Sequence, residues 1–167
     1  MKLITLAQAQ DHVKSDGDDD TLLTTYCDAA ESACARLANR NLYATAADYQ
    51  AAADGVAVAM LAAYTAYDAA LETADSQDDT RMTAMMKANA QVALDRATIA
   101  ADAIVHGLAL ESLADGGNDI LLAILMTVGH AYRNREAVIT GQGAAAIEVP
   151  MSAQAIMSLH RWIGSQP

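Results

Sequence analysis

Apolar side chains return at helical spacing along most of this chain. Between residues 20 and 38, Leu22, Leu23, Tyr26, Cys27, Ala30, Cys34 and Leu37 recur every few positions, which predicts a helix with one apolar face. Aspartates crowd its start, while Arg36 and Arg40 close its end, and both placements suit the helix dipole. Asn39-Arg40-Asn41 reads as its stop. Upstream, Leu6, Ala9 and Val13 share one face of a shorter helix that Thr5 can cap. Gly17, within an acidic run, ends that element by permitting a positive φ.

Residues 42–110 have a different texture. Two alanine-rich segments, 46–74 and 80–105, are separated by Asp75-Ser76-Gln77-Asp78-Asp79. They predict an antiparallel helical hairpin whose small side chains permit close packing. Asp54-Gly55 is a candidate interruption of the first arm. In the second arm Met82, Met85, Met86, Val92, Ile99 and Ala103 form a stripe. After the turn at 113–118, Asn118 or Asp119 caps a helix reaching about Glu136. Its first half, residues 120–128, is apolar all round and predicts burial on every side. The segment 141–149 reads as flexible and extended, because Pro150 disfavours a helical residue before it. Ser152 then caps a last helix carrying Ala155, Ile156, Leu159 and Trp162.

Composition supports an all-α fold. Of 167 residues, 53% are hydrophobic, yet alanine dominates and Phe is absent. Such a core gains stability from close helix approach and helix propensity. The predicted organisation is a single domain over 1–167: a helical-bundle core from 3–41 and 118–163, an inserted αα-hairpin lobe over 42–110, and a short extended segment near the C-terminus. No apolar run approaches the ~20 residues that cross a bilayer, and the first residues lack the apolar stretch of a signal peptide. Cys27 and Cys34 would lie roughly 10.5 Å apart along a helix, too far to bridge each other. Their number and setting fit a reducing cytoplasm.

The net charge of −11 is uneven. Residues 1–80 hold 14 acids and 4 bases, while 81–167 hold 7 and 6. An acidic first half argues against a phosphate-binding surface. The asymmetry reads either as two unlike faces, as a head-to-tail ring requires, or as plain solubility.

Candidate chemistry is sparse. Asp16, Asp18 and Asp20 begin like a calcium loop, but Thr21 stands where Gly is needed and Cys27 where Glu is needed, so helix capping accounts for them better. His12, His106, His130 and His160 fall in no paired ligand motif. No Gly-rich phosphate loop or nucleophile elbow is present. Cys27 and Cys34 lie on an apolar face and read as core. Met60, Met82, Met85, Met86 and Met126 read as gap-fillers in the core. These features predict a protein with no catalytic residues, no cofactor and no metal. Arg133 and Arg135, just past the apolar run, either cap a solvated helix end or reach acids on a neighbouring subunit. Trp162 reads as core or as an interface anchor.

Two stretches resemble a known family. Leu3-Ile4-Thr5-Leu6-Ala7, with Ala9, His12-Val13-Lys14, Asp16 to Asp20, Leu22-Leu23, Tyr26 and Ala29-Ala30-Glu31, is similar to the start of tailed-phage head–tail connector proteins. Ala123-Ile124-Leu125, Val128-Gly129-His130, Tyr132 and Asn134 to Val138 resemble that family's second hallmark helix, and Val149-Pro150-Met151 with a closing helix follows in order. Together these cover residues 3–41 and 120–162. The resemblance implies a non-enzymatic adaptor that forms a homo-oligomeric ring below the portal protein. Such a ring contacts a neighbouring head-completion or tail protein and lets DNA pass without specific binding. It implies assembly in the host cytoplasm and a place in the virion at the head–tail interface, with no membrane. Interface positions expected in such a ring are Arg133, Arg135, Glu136, Gly141, Gly143, Ile147, Val149 and Trp162, and the segment 141–149, short, flexible and flanked by helices, is expected to dock on a neighbour. The sequence departs from the family in the long 42–110 insertion, and in Leu159-His160-Arg161 where relatives often carry Pro-Tyr-Arg. The alternative is an oligomeric helical protein-binding module unrelated to virions, its hairpin gripping a partner.

Overall fold

A computed structural model describes residues 3–134 and 148–163. The protein is an all-α helical bundle with very little strand. Helix α1 spans Leu6–Val13, and Thr5 caps it as expected: its Oγ1 accepts the Gln8 N–H at 3.2 Å, while Gln8 Oε1 accepts the Thr5 N–H at 2.7 Å. Helix α2 spans Asp20–Ala38 and stops at Asn39, which adopts the left-handed conformation. A two-residue strand β1, Leu42–Tyr43, leads into α3, Ala46–Asp75. Helix α4, Thr80–Val105, begins where Asp79 accepts the Arg81 and Met82 N–H groups. Strand β2, Leu108–Ala109, a single 3-10 turn, α5 over Asn118–Arg133 and α6 over Met151–Leu159 complete the order.

The chain divides into two compact units, one of residues 1–48 with 107–167 and one of residues 49–106. The expected lobe limits of 42 and 110 are too wide, because β1 and β2 belong to the first unit. They pair in parallel, Leu42 with Leu108 and Tyr43 with Ala109. A parallel pair needs a crossover connection, and here the helical hairpin is that connection.

In the first unit α2 and α5 pack together, α1 lies against both, and α6 closes on both. Leu23, Ala30 and Cys34 of α2 meet a core that holds Ile120, Ala123, Ile124 and Val128 of α5, with Met157 from α6. Glu31 is buried in this unit, where its Oε1 accepts the N–H groups of Leu3 (2.6 Å) and Ile4 (3.1 Å). That contact satisfies both groups and holds the chain entering α1 against α2. Gly117 occupies the N-cap position of α5, where Asn118 or Asp119 was expected; Asp119 accepts the Ile120 N–H (2.7 Å), and Asp115 accepts the N–H groups of Gly117 (3.0 Å) and Asp119 (3.3 Å). These bonds, the Gly117 one foremost, hold its carboxyl below the usual carboxylate range. Gly117 sits at φ +74°, and a Cβ there would come within 2.7 Å of the Leu110 Cβ. Residues 120–128 are not enclosed on every side: Leu122 is 47% exposed, so α5 shows one edge to solvent. Ser152 makes no cap bond; Pro150 occupies the N-cap position of α6. The buried face of α6 is Ala153 and Met157, not Leu159, which is 80% exposed.

In the second unit, Asp54-Gly55 does not interrupt α3. Val56, Met60, Ala63, Tyr67, Ala70 and Ala74 alternate at four- and three-residue steps and are among the less exposed positions of that helix. Met86, Ala90, Leu94, Ala97, Ala101 and Ile104 follow at steps of three or four on α4 and are likewise shielded. These lines form the seam of an antiparallel helical hairpin, where Ala63, Tyr67, Ala90 and Leu94 border one shared space. Tyr49 donates to the Val105 carbonyl at 2.9 Å, and Lys87 pairs with Asp75 at 2.5 Å. The expected α4 stripe is therefore mostly outside the seam: Met82, Met85, Val92 and Ile99 are exposed, and only Met86 of the methionines there is shielded. The shielded positions mix alanines with Met60, Tyr67, Met86 and Leu94, so the two helices meet through these longer side chains and not by close approach of their backbones.

Candidate subunit interface

Of the residues expected at an interface, Arg133, Val149 and Trp162 lie among the described residues; Arg135, Glu136, Gly141, Gly143 and Ile147, with most of the 141–149 segment, lie outside them. Arg133 ends α5 and is exposed. Val149 packs half-buried against the core of the first unit, and its carbonyl accepts from Gln154 Nε2 at 2.7 Å. Trp162 is seated on its own chain. Its N–H donates to the Ala38 carbonyl at 2.8 Å, its carbonyl accepts from Asn39 Nδ2 at 3.2 Å, and the Arg40 guanidinium lies 5.7 Å from its ring centroid. These contacts fasten the segment after α6 to the end of α2.

His160 stands one residue past α6, and its Nε2 lies 2.6 Å from Asp119 Oδ2. It thereby ties the end of α6 to the start of α5. Two further contacts join the beginning of the chain to α5. Tyr132 donates to Asp19 Oδ2 at 3.1 Å, and Gly129 lets α1 approach so closely that a Cβ there would lie 3.1 Å from His12 Nε2.

An open groove of about 420 Å³ is lined by Asp28 and Glu31, with Leu3, Ser32, Ala35 and Asn41 among its walls. Glu31 faces this groove with one oxygen already committed to two backbone donors. Among the described residues, no three His, Cys, Asp or Glu side chains gather as a metal site would require. Cys27 and Cys34 are both buried thiols. Burial pushes the Cys34 thiol up to about 11, against the opposing hydrogen bond from Thr127 and with a smaller contribution from Glu31 in the same direction. At neutral pH it is protonated and a poor nucleophile. No helix among the described residues is long and apolar enough to cross a membrane.

Surface features missed in the sequence are apolar. Met151, Ala155 and Leu159 form an exposed line along α6, and Ile163 beyond it is exposed too. Their four-residue spacing was visible, but so was that of Ala153 and Met157, and alternation alone does not say which set is inward. The hairpin carries the larger exposed set, with Val58, Leu61 and Tyr64 on α3 and Met82, Met85, Val92 and Ile99 on α4. Comparison of the chain with protein families, with characterised proteins and with solved structures gives no significant match in any of the three.

Proposed function

We propose that this chain is a structural, non-enzymatic subunit of a tailed phage, a head–tail connector that assembles into a ring below the portal and extends the DNA channel. The observation that carries the reading is that the two stretches resembling the family meet each other. Asp19 of the first accepts from Tyr132 of the second, and His12 of the first packs at Gly129 of the second. Residues that resemble the family in both halves are thus joined in one packed unit. An acidic chain, net −11, suits a channel through which DNA slides, since few phosphate contacts can form. In this reading Arg133 faces acids of a neighbouring copy, and the partners are the portal protein and the next head-completion or tail protein. No cofactor or metal takes part, and the site of action is the virion.

A second reading is favoured by the exposed apolar residues of the hairpin: an oligomeric helical module that binds another protein and has no connection to virions. Co-expression with a portal protein from the same genome, followed by co-purification and electron microscopy, separates the two. Annular particles that retain the portal are expected. Dimers or tetramers that ignore the portal would remove the connector reading in favour of the module.

A further inference from the structure

The hairpin bears two exposed apolar patches of opposite electrostatic setting. On α3, Val58, Leu61 and Tyr64 lie in a helix that contains five acids, Asp48, Asp54, Asp68, Glu72 and Asp75, and no Lys or Arg. Asp54 and Asp68 stand seven residues to either side of Leu61, so they share its line along the helix. On α4, Met82, Met85, Asn89, Val92, Arg96 and Ile99 follow one another at three- and four-residue steps. They form a second line, four apolar residues with two polar ones among them, that the contact with α3 leaves unused. Leu61 and Ile99 are each 69% exposed. This helix holds three bases, Arg81, Lys87 and Arg96, against two acids, Asp95 and Asp102. Lys87 is occupied by Asp75, whereas Arg81 and Arg96 are exposed, and Arg96 lies within the α4 line itself.

Self-pairing of α3 patches would set five acids against five. With Lys87 and Asp75 paired to each other, pairing of α3 with α4 sets a helix that keeps four acids against one that is neutral and carries Arg96 within its exposed line, where it can meet Asp54 or Asp68. We propose that the α4 line of each hairpin is covered by the α3 patch of a second copy of this chain, in a head-to-tail contact. Unlike complementary patches that face apart make a heterologous interface, which generates rings when the rotation closes, whereas patches on one face would pair twice across a two-fold axis and stop at a dimer. The inference deepens the ring reading and rests on it for closure. The contact itself needs only a second copy.

Thiol cross-linking of the full-length protein tests it. The native cysteines are buried, so the variants Leu61→Cys and Val92→Cys each present one accessible thiol to a short bis-maleimide. The expected result is a covalent dimer when the two variants are mixed and none with either alone. Cross-linking of Val92→Cys with itself, at the yield of the mixture, would replace the head-to-tail contact with a two-fold one and overturn the proposal. So would the absence of any cross-link at concentrations where the protein sediments as an oligomer or fails to associate. Val92→Asp is expected to weaken association at least tenfold with an unchanged helical spectrum; full association of that variant counts against the proposal. Rings that form with no hairpin cross-link would leave the connector reading standing and remove this one. Hairpin cross-links in open chains that ignore the portal would do the reverse.

Discussion

At the scale of single residues, two adjacent glycines separate strain from crowding. Gly116 and Gly117 both adopt positive φ, but a Cβ at Gly116 meets open space while one at Gly117 meets Leu110. Gly116→Ala is expected to cost about 1 kcal/mol, the left-handed penalty alone, and Gly117→Ala about 2–3 kcal/mol once the clash is added. Urea denaturation of the two variants reads the difference directly. Cys34 supplies a pH dependence. Its folded value of about 11 lies above its usual value near 9, so between those values the folded state holds a proton that the unfolded state has released. Stability from this group is therefore intact below about pH 9 and declines as pH rises toward 11. The gap is worth about 2–3 kcal/mol. Thermal melts from pH 8 to 11 are expected to fall more steeply for the parent protein than for Cys34→Ala; parallel slopes would refute the assignment.

Among elements, the hairpin shows how a helix can carry two apolar lines and bury one. Leu94→Ala, in the seam, is expected to destabilise the second unit by about 1–2 kcal/mol, less than a full core truncation because Leu94 is only half-buried. Ile99→Ala, measured in dilute monomer, is expected to stay within about 0.5 kcal/mol of the parent. Helix extents were largely legible in the sequence, because each stop had a chemical cause: Asn39 after α2, the acidic stretch 75–79 between α3 and α4, the glycines before α5. The side that each helix buries was not. Met82, Met85, Val92 and Ile99 look more core-like than Ala90, Ala97 and Ala101, and hydrophobicity ranks them so. Which side faces the other helix depends on how the line of Met86, Ala90, Leu94 and Ala97 matches that of Met60, Ala63, Tyr67 and Ala70, and hydrophobicity ranking does not carry that information. Leu42–Tyr43 and Leu108–Ala109 were illegible for another reason: two-residue strands have no period to read, and their partners lie far apart in sequence. Trp162 was ambiguous for a third reason: its place in the sequence does not show that Ala38, Asn39 and Arg40 hold its backbone and ring.

For the whole molecule, the division into residues 1–48 with 107–167 and residues 49–106 has a direct test. Joining Ala44 to Gly107 by a short Gly-Ser linker removes the hairpin while keeping Leu42 beside Leu108, at little loop-closure cost. The shortened protein is expected to fold cooperatively, with Trp162 fluorescence like that of the parent; a molten product would mean that the first unit depends on the second. The seam between α3 and α4 has a further consequence. Its repeat is seven residues, so excising matched heptads from the two arms would shorten the hairpin by about 10.5 Å each time while the remaining side chains keep their partners. The length of the hairpin is thus adjustable in discrete steps, like the rungs of a ladder, and natural or engineered variants of different span can share one unaltered first unit.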